Sequence, residues 1–159
     1  MTLAYVGLGA NLGEPRRQLQ AAIDTLSSLP ATRRVAASSF YRSAPLDFLD
    51  QADFLNAVMQ LDTELSADAL LEHLQQIELR HGRERPFAGA PRTLDLDLLL
   101  FGEQCLASPR LTLPHPRMHA RAFVLKPLIE IAPDIAIPGR GTARELLAAC
   151  AGQAVERID

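Results

Sequence analysis

The sequence predicts an α+β fold, with an antiparallel sheet, two helices on one of its faces and further helix available for the other. Three observations carry this. Between Leu3 and Phe101, apolar patterns of period two and period 3.6 succeed one another in the order βαββαβ. No internal repeat, low-complexity tract or linker interrupts the chain. Beyond Phe101 an apolar helix and a capped last helix follow. The 159 residues are 48% hydrophobic and 22% charged, the profile of a single globular domain spanning 1–159. A chain of that length buries roughly 70% of its unfolded surface and holds a core without disulfides or structural metal.

Leu3 to Gly9 is a short apolar strand running into the glycine-rich stretch Gly7 to Gly13, which reads as a turn. The helix after it has Pro15 in its first turn, Leu19, Ala22, Ile23 and Leu26 on one stripe, and an end before Pro30. Val35 to Tyr41 reads as the second strand, Ser43 to Asp53 as a loop around Pro45, and Phe54 to Asp62 as the third strand. Ser66 caps a second helix, whose stripe is Leu70, Leu71, Leu74 and Ile77 and which stops at Gly82. A polar loop covers Arg83 to Arg92. Thr93 to Phe101, alternating leucine with aspartate, is the clearest strand before Gly102 turns it. This succession is the ferredoxin-like split βαββαβ pattern, which packs both helices on one face of the sheet. Past it, short strand-like pieces stand near Cys105 and Leu111, and an apolar helix from Ala122 to Ile131 is interrupted at Pro127. The last helix opens with the capping box Thr142-Ala-Arg-Glu145. These C-terminal helices cover the second face and complete an α/β/α three-layer domain.

The net charge of −3 argues against a general nucleic-acid binder, and no apolar run approaches the roughly 20 residues that cross a bilayer. Cys105 and Cys150 match no metal knuckle or redox pair. With no signal-like stretch at the N-terminus, they read as reduced thiols of a cytoplasmic protein. Lys126 is the only lysine, so every other basic residue is an arginine, many of them between Arg80 and Arg121. Arginine carries a planar fork that fits phosphate and carboxylate oxygens, which points to a phosphorylated ligand. A base composition that favours arginine codons is the other source of such a bias.

Asp95 and Asp97 stand two apart on one strand, so both carboxylates project from one face while Leu94, Leu96 and Leu98 enter the other. Two anions side by side require a cation, arginines or solvent. Hard oxygen donors with no histidine or cysteine cluster nearby suit Mg²⁺ better than Zn²⁺. Arg83, Arg85 and Arg92 lie on the loop feeding this strand, and Arg110, Arg117 and Arg121 flank Leu-Pro-His-Pro, so carboxylates and arginines together suit a polyphosphate. Lys126 lacks the flanking Gly and Ser/Thr of a P-loop, and the Gly7, Gly9, Gly13 spacing is one residue too long for a dinucleotide fingerprint, so the glycine turn reads as one that lets the backbone approach a ligand or a neighbouring loop. Pro114 and Pro116 make the His115 stretch a turn, so His115 reads as a hydrogen-bonding partner, with a plain surface histidine the alternative. Asn56 on a strand is either an amide that points to solvent or, with Phe54 and Phe123, a group that reads a flat heterocycle at its edge and faces. Paired aspartates on such a sheet also occur in polymerase-palm and nucleotide-cyclase domains, and a non-catalytic ligand-binding domain is the other alternative.

Phe40-Tyr-Arg-Ser-Ala-Pro-Leu46, Asp53-Phe-Leu-Asn-Ala57, Ala90-Pro-Arg-Thr-Leu-Asp-Leu-Asp-Leu-Leu99 and Leu113-Pro-His-Pro116 give the chain a specific likeness. Over nearly its whole length it resembles the 6-hydroxymethyl-7,8-dihydropterin pyrophosphokinases of folate biosynthesis. The resemblance implies a monomeric α+β enzyme that transfers pyrophosphate from ATP to the hydroxymethyl group of 6-hydroxymethyl-7,8-dihydropterin, giving the pterin diphosphate and AMP. It implies that Asp95 and Asp97 hold two Mg²⁺ ions. Gln75 and Glu78 on the second helix, Arg85 and Arg92 on the loop, Leu98 on the aspartate strand, and Arg110, Thr112, His115 and Arg121 beyond it would line the ATP site. Ser43, Ala44, Pro45 and Leu46, with Phe54, Asn56 and Phe123, would hold the pterin, and Arg83 and Arg92 would close over the phosphates and assist the chemistry. Where many members carry a basic residue and then tryptophan, this chain has Ala88, Gly89 and Ala90, and Pro116 replaces an aromatic.

Overall fold

A computed structural model describes residues 1–11, 13–44, 53–81 and 94–158. The elements in chain order are β1 (Thr2–Ala10), α1 (Pro15–Leu26), β2 (Thr32–Ala37), β3 (Tyr41–Ser43), β4 (Phe54–Thr63), α2 (Ala67–Arg80) and β5 (Asp95–Phe101). They continue with β6 (Leu106–Ala107), β7 (Thr112–Leu113), a 3₁₀ turn at Met118–Ala120, α3 (Ala122–Ile131), β8 (Ala136–Ile137), β9 (Gly141–Thr142), α4 (Ala143–Ala148) and β10 (Val155–Arg157). The main sheet runs β10-β3-β4-β1-β5, with β2 also paired to β4, and every pairing is antiparallel. This is the predicted α+β order, with β1 and β4 at the centre.

Period-two alternation on the central strands makes two cores. Ala4, Val6, Leu8 and Ala10 of β1, Ala57, Met59 and Leu61 of β4, and Leu96 and Leu98 of β5 pack against the stripes of α1 and α2. Tyr5, Val58, Leu99 and Leu100 face the other way, onto α3 and the segment that carries α4. The C-terminal helices therefore cover the second face, and the three layers are present. Ser66 caps α2 as its sequence predicts, accepting from the Ala69 N–H at 3.1 Å, and Thr142 does the same for α4 from Glu145.

Three local expectations are corrected. Gly7 and Gly9 are not in a turn: β1 runs to Ala10, and of the three glycines only Gly13, at φ +68°, needs the freedom of a turn. The expected strand from Val35 to Tyr41 is two strands, β2 and β3, both paired with β4 and separated by a bulge. Between the pairs Ala37↔Met59 and Tyr41↔Asn56, the outer chain holds one residue more than β4. Ser38 bridges the irregularity, its N–H donating to the Val58 carbonyl and its hydroxyl accepting from the Val58 N–H, each at 2.9 Å. Pro127 does not interrupt its helix; α3 continues through it, with the ring buried. A proline in a helix interior removes one hydrogen bond. Here the helix is fixed at both ends by contacts outside itself: Gln153 accepts from the Ala122 N–H at 3.0 Å, and the helix's own Glu130 binds the bulge between β2 and β3. The sequence also gave no sign of β10, which extends the sheet beyond β3.

Candidate active site

Gly7 and Gly9 lie on the same face of β1 as Tyr5, and this face carries the site. Gly9 is in register with Asn56 on β4 and with Asp95 on β5, and Gly7 with Val58 and Asp97. Neighbouring strands are about 4.8 Å apart, so Asn56 and Asp95 stand roughly 10 Å from each other across a strand that has no side chain between them. The space is tight on the Asn56 side, where a Cβ on Gly9 would come 3.4 Å from its Oδ1. The floor between the Asn56 amide and Asp95 is bare backbone at Gly9, whereas Gly7 lies under the Leu99 side chain.

Asp95 and Asp97 share this face, as their spacing predicts, and Asp97 keeps a third of its side chain exposed. Their strand is held from the opposite side by Glu78. This carboxylate is 3% exposed, and its Oε2 accepts from the Leu96 N–H, between the two aspartates, at 2.8 Å. Glu78 thus anchors β5 from within the α2 layer. Leu98 is a core residue at 3% exposure, so what it offers a ligand is its main chain.

The bulge in β5 explains where His115 sits. Tyr5 pairs with Leu100 and Val6 with Leu98, which leaves Leu99 as the extra residue, and its carbonyl accepts from the His115 N–H at 2.9 Å. The imidazole is thereby brought beside Asp97, with Nε2 3.9 Å from Oδ1, too long for a hydrogen bond. Burial, then the charges of Arg121 and Arg117, push the His115 pKa down to about 4 against the pull of Asp95. Nδ1 accepts from the Arg117 N–H at 3.2 Å, so the neutral ring carries its proton on Nε2. Arg121 is stacked on Phe123, 5.4 Å from the ring centroid. Arg110 reaches Glu72 of α2 at 3.9 Å, and Gln75, one turn further along α2, and Thr112 on β7 are exposed beside this edge.

On the other side of the floor, Asn56 is 4% and Ser43 5% exposed, and the Asn56 Nδ2 donates to Ser43 Oγ at 2.7 Å. Ser43 therefore acts through its hydroxyl, setting the plane of the amide. Phe54, paired with Ser43 in the ladder, and Phe123 at the start of α3 are half-buried, and Ala44 is exposed. Pro45, Leu46, Arg83, Arg85 and Arg92 lie outside the described residues. The glycine-rich stretch reads as a turn that lets the backbone approach a ligand or a neighbouring loop; the structure puts Gly7 and Gly9 within β1 instead, a placement that their strand spacing already carried. An open groove of about 840 Å³ between α1 and the β2–β3 bulge lies on the other face of the sheet, away from these groups.

The donor set fits magnesium. Among the described residues no group of three or more His, Cys, Asp or Glu side chains could hold a metal, so Asp95 and Asp97 are a partial ligand set. Mg²⁺ is held in this way, through one or two carboxylates, with waters and substrate phosphates completing the shell.

A ferredoxin-like sheet that carries paired carboxylates, a neutral imidazole and arginines on one accessible face defines an α+β domain of the phosphate-handling class. The chain belongs to the 7,8-dihydro-6-hydroxymethylpterin-pyrophosphokinase (HPPK) family, whose model matches residues 5–133. It is 54% identical over 154 residues to the 2-amino-4-hydroxy-6-hydroxymethyldihydropteridine pyrophosphokinase of Pseudomonas aeruginosa, covering 97% of this chain and 95% of that one. It is 48% identical over 147 residues to the Haemophilus influenzae protein of the same name, covering 92% of each. The fold is shared with an HPPK-DHPS crystallised in complex with substrates, at a TM-score of 0.72 and 11% identity, over 93% of this chain. It is also shared with wild-type Plasmodium falciparum HPPK-DHPS, at 0.70 and 13%, over 94% of this chain. In both cases the chain spans 43% of the matched structure's length.

Proposed function

We propose that this chain, as a single catalytic domain, transfers the β,γ-pyrophosphoryl group of ATP to the hydroxymethyl oxygen of 6-hydroxymethyl-7,8-dihydropterin in folate biosynthesis. The products are the pterin diphosphate and AMP. The observation that carries the reading is the row Asn56, Gly9, Asp95 across three adjacent strands, an amide and a carboxylate facing each other over bare backbone. A flat heterocycle against Asn56 can lie over that floor with its hydroxymethyl arm directed at the aspartates.

The Asn56 amide, oriented by Ser43, offers an acceptor and a donor to the pterin edge, while Phe54 and Phe123 supply ring faces and the chain at Ala44, Pro45 and Leu46 supplies backbone. Asp95 and Asp97 would hold the Mg²⁺ ions, which when bound neutralise phosphate oxygens. Nε2–H of His115 donates one hydrogen bond to a phosphate oxygen without adding charge. With Nδ1 occupied by Arg117 it is not a base. Gln75, Thr112, Arg110 and Arg121 line the nucleotide side, Glu78 fixes the strand beneath it and Leu98 contributes main chain. Arg83, Arg85 and Arg92 would close over the phosphates, where their charge matters most as the bond to AMP breaks. The hydroxymethyl oxygen forms its bond to the β-phosphorus as the bond from that phosphorus to AMP breaks, AMP leaving with the electron pair and the hydroxyl proton passing to a phosphate oxygen, so neither an enzyme base nor a covalent enzyme intermediate is needed. We place the enzyme in the cytoplasm as a monomer without nucleic-acid or membrane partners. Among the described residues no helix is long and apolar enough to cross a membrane.

Mass spectrometry of a reaction with ATP, Mg²⁺ and 6-hydroxymethyl-7,8-dihydropterin tests the reading. AMP and pterin diphosphate should appear in equal amounts and only when magnesium is present. ADP with a pterin monophosphate, or nucleotide turnover indifferent to the pterin, would overturn it.

A further inference from the structure

We propose that Glu130 is a positioning residue for the pterin seat: its carboxylate clamps α3 to the bulge between β2 and β3, and so sets the gap between Phe123 and the Asn56–Ser43 pair. The inference rests on the seat proposed above. A bulge leaves a strand residue outside the ladder, and its N–H needs another acceptor. Here that residue is Ser39. Its N–H lies 3.0 and 3.1 Å from the two Glu130 oxygens, and its hydroxyl donates to Oε2 at 3.1 Å. The Tyr41 hydroxyl donates to Oε1 at 2.7 Å, and Arg157 of β10 stands 3.9 Å from Oε2. One carboxylate on a helix thus holds β3, β10 and the bulge between β2 and β3.

Both ends of this clamp lead to the seat. Tyr41 is the register partner of Asn56, and Ser43, two residues along the same face of β3, makes the hydrogen bond that orients the Asn56 amide. Glu130 follows Phe123 by seven residues, two turns of helix, so the two share one face of α3 about 10 Å apart along its axis. The other end of α3 has no side-chain cap of its own. Gln153 serves it, with Oε1 accepting from the Ala122 N–H at 3.0 Å and Nε2 donating to the Ala120 carbonyl at 2.8 Å. With its N-terminus pinned by Gln153, the tilt of α3 over the sheet is decided at Glu130.

Glutamine at 130 keeps the length but has one acceptor oxygen in place of two and no charge, so a single neutral oxygen must take the Tyr41 hydroxyl and the Ser39 N–H, both bonds lose their charge assistance, and Arg157 loses its counter-ion. Calorimetry on the intact protein with a non-hydrolysable ATP analogue and hydroxymethylpterin reads the result. Glu130→Gln should weaken pterin binding about tenfold and leave the nucleotide within about twofold. In turnover, KM for the pterin should rise more than kcat falls. Tyr41→Phe keeps the ring and its packing and should reproduce a large part of the defect. The double variant should be no worse than Glu130→Gln alone, because both changes open the same clamp. Ser66→Ala, which weakens the α2 cap away from the seat, controls for lost stability and should leave pterin affinity unchanged. Unchanged pterin affinity in both Glu130→Gln and Tyr41→Phe, or equal loss of pterin and nucleotide binding, would overturn the proposal. Asn56→Ala and Phe123→Ala keep the two ideas apart: if these also leave pterin binding intact, the seat itself is wrong, whereas if they abolish it and Glu130→Gln does not, only the clamp is wrong.

Discussion

Replacing Gly9 by alanine separates stability from function, because the two respond in opposite directions. Within a strand, alanine is better than glycine by about 0.5–1 kcal/mol, since it loses less backbone freedom on folding. Gly9 is not at positive φ, and its Cβ would meet Asn56 Oδ1 at 3.4 Å and the Leu55 carbonyl at 3.9 Å, at the margin of ordinary contact. The folded protein therefore accepts the methyl with at most a small movement of Asn56, and its thermal midpoint should stay level or rise. The ligand does not accept it. A flat ring over this floor lies about 3.5–4 Å from the backbone atoms, and a methyl group projects about 1.5 Å into that layer. Lifting the ring also withdraws its edge from Asn56, and we expect pterin affinity to fall at least about tenfold, or about 1.4 kcal/mol. Circular dichroism melts and calorimetric titration of hydroxymethylpterin in the presence of a non-hydrolysable ATP analogue give the two numbers. A Gly9→Ala protein with wild-type stability and pterin affinity within twofold of wild type would refute the idea that the substrate crosses β1 at this residue.

Glu78→Ala leaves the Leu96 N–H inside the protein without its acceptor, which costs about 1–3 kcal/mol, and turnover should fall as the spacing of Asp95 and Asp97 loosens. An unchanged melting midpoint would show that the anchor is dispensable. The two tyrosines report on the fold at high pH. Burial raises the pKa of Tyr5, and burial together with the Glu130 carboxylate pushes Tyr41 up to about 12. Because both folded values lie above the free value near 10, their contribution to stability is complete below pH 10 and is lost as pH rises towards 12. Absorbance at 295 nm should therefore show less than half of the phenols ionised at pH 10 in the folded protein, with the remainder appearing on unfolding. Half-ionisation at pH 10 with the fold intact would contradict the burial of these rings.

The order of elements and the common face of Asp95 and Asp97 could be read from the chain because each depends on local periodicity. Alternating Leu and Asp can serve only a strand with one wet face, and the stripes on α1 and α2 need the other face of the same sheet. What could not be read depends on partners far along the chain. Ser39 and Glu130 are 91 residues apart, and the bulge that joins them has no pattern of its own. The Gly7-x-Gly9 spacing was legible in principle, yet glycine near a strand end is more often a turn, and only the register with Asn56 and Asp95 shows Gly9 to be the floor. Pro127 misled for a similar reason, since a helix pinned at both ends tolerates a proline that an isolated one would not.

Turnover of Asp97→Ala under saturating ATP, Mg²⁺ and 6-hydroxymethyl-7,8-dihydropterin tests the central assignment most directly. The side chain is a third exposed and holds no part of the core, so the variant should fold and still bind the pterin at Asn56. AMP release should drop by at least about a hundredfold, a barrier increase of about 2.7 kcal/mol, with Asp95→Ala close behind. Release within about tenfold of wild type for a folded Asp97→Ala protein would mean that the phosphates are handled elsewhere.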